Sequence, residues 1–110
     1  MAGRYVLKSR RDGQFYFNLE SGNYKTILTS EGYKSKAGAN NGIQSCKQNS
    51  PIDARYERLS ASNGEPYFVL KAANGEPIGR SETYSSSEAR ERGIEAVKRE
   101  GPRAEIVDRT

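Results

Sequence analysis

Along the first thirty positions apolar residues alternate with polar ones, and then the period changes. In FYFNL, Phe15, Phe17 and Leu19 fall on one side and Tyr16 and Asn18 on the other, the two-residue period of a strand with one face on a core. PYFVL repeats the pattern, with Phe68 and Leu70 on the first face and Tyr67 and Val69 on the second. Asp12-Gly13 and Asn63-Gly64 predict type I′ hairpin turns, whose central residues both need positive φ. Gly22-Asn23 and Asn74-Gly75 mark a second turn in each half. Strands are expected at 4–9, 14–20 and 25–30, and again at 55–60, 65–71 and 76–81. Pro66 and Pro77 each follow a turn, where a strand's first residue tolerates a missing N–H.

After each third strand the pattern turns helical. Apolar or small residues at 39, 42, 43 and 46, and at 89, 93, 94 and 97, line one face of segments 36–48 and 86–99. Ser85-x-x-Glu88 reads as a capping box, with Tyr84 placed to staple onto the first turn and Ser35 as the looser counterpart. The helices end near Pro51 and Gly101-Pro102. Gly42 and Gly93 stand mid-helix, where glycine costs about 1 kcal/mol relative to alanine. Their recurrence predicts a close approach to the sheet or to the other helix.

The two halves are copies of one another. Shifted by 51 residues, positions 5–51 and 56–102 share sixteen identities without a gap, among them Tyr16-Phe17 with Tyr67-Phe68 and Gly42-Ile43 with Gly93-Ile94. The expected unit is β-β-β-α, repeated at about 4–51 and 55–102. Residues 104–108, AEIVD, align with the start of the second repeat and read as a closing strand. Segment 55–60 then serves both copies, as last strand of one and first of the next. SPIDA is too short to be a flexible linker, and three strands with one helix bury too little alone. The fold class is therefore α+β: one pseudo-twofold domain over residues 1–110, with an antiparallel sheet and two helices on one of its faces.

The residues that carry the repeat resemble a known family. GEPYFVLKAANGE, SETY and GIEAVK in the second half, with their looser counterparts in the first, are similar to the YegP-like family of small bacterial proteins. The first half departs from the pattern at LESGNYK and at Cys46, which stands where the second half has Val97. The resemblance implies a duplicated β-β-β-α-β fold whose C-terminal strands cross between halves. It brings no activity with it.

Composition narrows the chemistry. The 110 residues contain no histidine and one cysteine. The first absence removes His-activated nucleophiles and His-ligated zinc. A lone Cys46 forms no internal disulfide, suits a cytoplasmic location, and is expected to act as a small buried hydrophobe. Mean hydropathy is −0.90, and neither a membrane-spanning run nor a secretory leader is expected. The glycines sit in hairpin turns and make no phosphate-binding loop. No catalytic residue, metal ligand or cofactor is assigned, and the chain is read as a monomeric binding module and not an enzyme.

Three groups of residues are candidates for that binding. Tyr16, Tyr67 and Val69, on the sheet face away from the helices, are expected to cluster as a protein-partner surface. Residues 1–51 hold eight Lys/Arg against three Asp/Glu, whereas 52–110 hold ten against eleven. The basic first half, with Lys8, Arg10, Arg11, Lys25, Lys34 and Lys36, is the alternative surface. There single-stranded nucleic acid could bind, with Tyr16 stacking on a base. The repeated Ser-Glu-x-Tyr motifs, Ser30, Glu31, Tyr33 and Ser81, Glu82, Tyr84, read as structural corners. A pair of catalytic carboxylates, Glu31 and Glu82, is the distant alternative.

Overall fold

A computed structural model describes residues 3–110. Its elements are β1 (Arg4–Ser9), β2 (Phe15–Glu20), β3 (Thr26–Ser30), α1 (Lys36–Asn49), a 3-10 turn (Asp53–Arg55), β4 (Tyr56–Ser60), β5 (Pro66–Lys71), β6 (Pro77–Arg80), α2 (Ser87–Glu100) and β7 (Glu105–Asp108). Pro66 and Pro77 open their strands. The seven strands form one sheet in the order β4-β5-β6-β3-β2-β1-β7. The repeats meet at β3 and β6, where Thr29 pairs with Arg80 and Ser30 with Gly79.

The sheet is not wholly antiparallel, because β7 runs parallel to β1, with Tyr5 opposite Ile106 and Val6 opposite Val107. Nor does segment 55–60 serve both copies. The chain leaving α1 passes directly into β4, which takes the first-strand place of repeat two and pairs with β5.

The hairpins are also built differently from a type I′ turn. Among the described residues positive φ is confined to Gly13, Gly64, Gly75 and Tyr24. Gly13 N–H donates to the Arg10 carbonyl and Arg10 N–H to that of Gln14. This is a type I turn closed by a glycine bulge. The residue before each glycine, Asp12, Asn63 or Asn74, accepts the amide two residues on at 3.0 Å, which is why Asp-Gly and Asn-Gly suit this turn as well. Tyr24 takes the left-handed place of Gly75, with the Arg4 guanidinium 4.0 Å from its ring centre.

The core lies between the sheet and the helices. α1 covers β2, β5 and β6, and α2 covers β5 and β3, so each helix spans the junction of the repeats. Three rings line each half: Tyr5, Phe17 and Tyr33, then Tyr56, Phe68 and Tyr84, with neighbouring centroids 5.6–6.4 Å apart. The Tyr5 hydroxyl donates to the Gly101 carbonyl at the end of α2, and the Tyr56 hydroxyl to Ser50 at the end of α1, both at 2.6 Å. Each repeat's first strand thus holds the other repeat's helix. Cys46 is fully buried, and burial pushes its thiol up to about 12.

Candidate functional site: a cationic cleft beside the second helix

The Ser-Glu-x-Tyr corners set the geometry around each helix. Ser30 Oγ accepts the Phe17 amide at 2.8 Å and donates to the Glu31 carbonyl at 2.8 Å; Ser81 does the same with Phe68 and Glu82. Each serine replaces a ladder bond lost where the strand ends. The helix caps are Ser35 and Ser86, which accept from Gly38 and Ala89. Ser85 is therefore not the cap, and Ser86 is the residue that aligns with Ser35.

Tyr33 and Tyr84 lie along their own helices. A Cβ on Gly42 or Gly93 would stand 2.2 Å from the hydroxyl oxygen of Tyr33 or Tyr84. The helix glycines thus make room for the corner tyrosines, rather than for the sheet or the other helix. Glu31 and Glu82 are exposed at separate corners, and Glu82 faces Lys25 at 3.9 Å.

Between α2 and the β2–β3 turn lies a cleft of about 970 Å³. Its floor is made by the small residues Ala89, Gly93 and Ala96 on successive turns of α2, with Ile27 and the Tyr84 ring beside them. Burial, with a smaller contribution from Glu82, raises the Tyr84 phenol, which stays protonated and able to donate. Lys25, Arg92, Arg99 and Arg103 stand around this floor. Among the described residues Arg92 forms no ion pair. Glu100 accepts the Gly3 amide at 2.9 Å and faces Arg99 at 3.1 Å and Arg103 at 3.8 Å. Burial opposes ionisation of Glu100; the Gly3 amide and the two guanidiniums overcome it and hold the carboxyl below its ordinary range. Two carboxylates, Glu100 and the Glu82 that faces Lys25, thus offset four cations, and the cleft keeps a positive excess.

The duplication supplies an internal comparison. In the other copy the positions of Lys25, Arg92, Arg99 and Arg103 are held by Glu76, Asn41, Gln48 and Ile52. The floor is kept as Gly38, Gly42 and Ser45, and the tyrosine as Tyr33. The scaffold is common to both ends, and the charge is present at one.

The sequence-predicted residues fall elsewhere, except Lys25 and Tyr84. Tyr16, Tyr67 and Val69 are half-buried on the helix-free face, but they do not cluster. Tyr16 lies opposite Lys8 on β1 and Tyr67 opposite Leu59 on β4, with β3 and β6 between them. Three strand spacings, about 14 Å, separate β2 from β5, and polar Asn18, Thr29 and Arg80 occupy the row leading to Val69. Lys8, Arg10, Arg11, Lys34 and Lys36 gather at the tip of the first hairpin and the start of α1. There Arg10 pairs with Asp12 and Lys36 with Asp108. Lys25 is at the other end of the strands.

Among the described residues no group of three or more His, Cys, Asp or Glu side chains could hold a metal ion, and no helix is long and apolar enough to cross a membrane. A family model described as a domain of unknown function, DUF1508, matches twice, at residues 11–57 and 61–108. A UPF0339 protein of Acinetobacter baylyi is 53% identical over 110 residues, covering 100% of this chain and 99% of that one. The solution structure of yegP from E. coli, itself a protein of unknown function, superposes with a TM-score of 0.94 at 49% identity, covering 100% of this chain and 95% of that one. The solution structure of a UPF0339 protein from Shewanella oneidensis gives 0.91 at 50% identity, over 98% and 92%.

Proposed function

Because the chain belongs to the DUF1508 family in its tandem YegP-like form, we propose on the geometry of the cleft that it is a non-catalytic module binding an anionic small molecule beside α2. The anion, a phosphate or carboxylate group, meets Arg92, Arg99 and Lys25. A flat apolar portion lies on Ala89, Gly93 and Ala96 against Tyr84. The carrying observation is the contrast between four cations at this cleft and none at the equivalent positions of the other repeat. Concave cationic surfaces concentrate anions, and guanidiniums bind phosphate and carboxylate in two-point geometry. The non-catalytic reading is supported by the separation of Glu31 and Glu82 at exposed corners and by Glu100, which is held ionised and engaged.

The test is an NMR titration with AMP, which joins a phosphate to a planar ring, at low and moderate salt. Expected are amide shifts at Lys25, Tyr84, Arg92, Gly93 and Arg99, with affinity falling as salt rises. Arg92→Gln should weaken binding about tenfold, the loss of one charge-assisted contact. Shifts elsewhere, or an unchanged affinity in Arg92→Gln, would refute the reading.

A second reading rests on the other cationic end. Lys8, Arg10, Arg11, Lys34 and Lys36 gather there and Tyr16 lies beside Lys8, which supports binding of single-stranded nucleic acid. Titration with short oligo(dT) should then shift the first hairpin and weaken with salt. Shifts confined to α2 would instead return that ligand to the cleft.

A further inference from the structure

The pseudo-twofold between β3 and β6 relates β1 to β4, yet these strands have unequal company. Among the described residues β1 lies between β2 and β7, whereas β4 has β5 on one side and no strand on the other. Which backbone groups of β4 are left over follows from the ladder. The carbonyls of Pro66 and Phe68 accept from Tyr84 and Ser81 on the β6 side. Alternation therefore turns Tyr67 and Val69 toward β4, where they pair with Leu59 and Glu57. Tyr56, Arg58 and Ser60 direct their backbone groups outward.

Their counterparts in β1 are Tyr5, Leu7 and Ser9, and there the Leu7 carbonyl accepts the Arg109 amide just past β7 at 2.8 Å. On β4 the Tyr56 amide donates to the Asp53 carbonyl. Among the described residues the Tyr56 carbonyl, both groups of Arg58 and the Ser60 amide remain as an open row. The Arg58 side chain does not cover them, because its guanidinium is drawn to Glu91 on α2 at 2.9 Å and to Asp53 at 3.0 Å.

We propose that the outer edge of β4 docks one extended segment of a protein partner, added parallel to β4 as β7 is added to β1. The β1–β7 register describes that segment. Ile106 stands opposite Tyr5, Val107 opposite Val6 and Asp108 opposite Leu7, and on β4 these places face Tyr56, Glu57 and Arg58. An apolar residue fits the first place, beside the buried Tyr56. The second and third places are set by the backbone, because Glu57 already pairs with Lys71 at 2.6 Å and Arg58 with Glu91 and Asp53. A second copy of the chain would pair two β4 edges antiparallel about a twofold, unlike the parallel placement of β7 on β1.

The probe is the synthetic peptide RAEIVDRT, residues 103–110, titrated into the full chain. Amide shifts are expected at residues 56–60 and their β5 partners. Arg58→Pro removes the outward N–H, a loss that an edge strand tolerates, together with the guanidinium paired with Glu91 and Asp53. It should abolish binding, whereas Arg58→Ala, which keeps the amide, should retain it. Should Arg58→Pro fail to fold, the peptide RAEDVDRT, with Asp in the first place beside buried Tyr56, serves instead, and the parent chain should bind it at least about tenfold more weakly. Three results overturn the proposal: no shifts at β4, equal binding to Arg58→Pro and the parent, or shifts at β4 that follow protein concentration alone as the mass doubles.

Discussion

The Tyr84 ring occupies the notch that Gly93 leaves in α2, and an added Cβ at Gly93 would stand 2.2 Å from the Tyr84 hydroxyl oxygen and 2.6 Å from Cζ. Gly93→Ala must therefore displace a ring that is also stacked on Phe68 at 6.3 Å. Overpacking of this kind costs about 1–3 kcal/mol, offset in part by about 1 kcal/mol of helix propensity. The net expectation is a loss of up to about 2 kcal/mol in chemical denaturation. Because the displaced ring borders the cleft, AMP binding should weaken as well. In a double-mutant cycle Tyr84→Ala should absorb most of the Gly93→Ala penalty; full additivity would mean that the ring and the glycine are not coupled.

Ser81 holds a buried amide that no strand serves. Ser81→Ala leaves the Phe68 N–H without its 3.0 Å acceptor, and an unsatisfied buried donor costs about 1–3 kcal/mol. Ser30→Ala should cost a similar amount through the Phe17 amide. Hydrogen exchange at Phe68 and Phe17 should accelerate in the respective variants, and unchanged protection there would count against this account.

Glu100 makes stability depend on acid. Its carboxyl lies below the ordinary range in the folded chain, so its contribution is present above the unfolded value of about 4.5 and is lost as pH falls through the folded one. Urea midpoints should fall on acidification below about pH 4.5. Glu100→Gln should be less stable near neutrality and flatter across that window. An equally steep acid limb in Glu100→Gln would assign the effect to other carboxylates.

The two repeats should not survive separation. Tyr5 bonds the end of α2 and Tyr56 the end of α1, so cutting the chain at Ile52 removes one helix anchor from each piece. Either piece alone is expected to lack a cooperative thermal transition, and mixing the two should restore it. A lone monomeric fragment with a sharp transition would contradict the shared interior.

Much of this fold was legible in the chain. The two-residue period of FYFNL and PYFVL, the Asp-Gly and Asn-Gly turns and the helical spacing around Ile43 and Ile94 place every strand and helix end within one residue of its position, since local pattern and burial agree there. Turn type was not legible, because Asp12-Gly13 satisfies both the primed turn and the glycine bulge, and only φ distinguishes them. The cleft was hidden for another reason. Lys25 meets Arg92, Arg99 and Arg103 only through the β3–β6 junction. In the sequence those arginines lie among Glu88, Glu91 and Glu95, which bring the second half's charge close to zero. Comparing the two helices position by position, Arg92 with Asn41 and Arg99 with Gln48, is the signal that exposes them.

The parallel placement of β7 along β1 decides how the molecule carries load. Residues 4–7 and 105–108 lie side by side, near the two ends of the chain and pointing the same way. A pull that draws the N-terminus backward and the C-terminus forward slides one strand along the other, so their cross-links share the force together instead of opening in succession like a zipper. The first and last strands close on each other as a shear clamp.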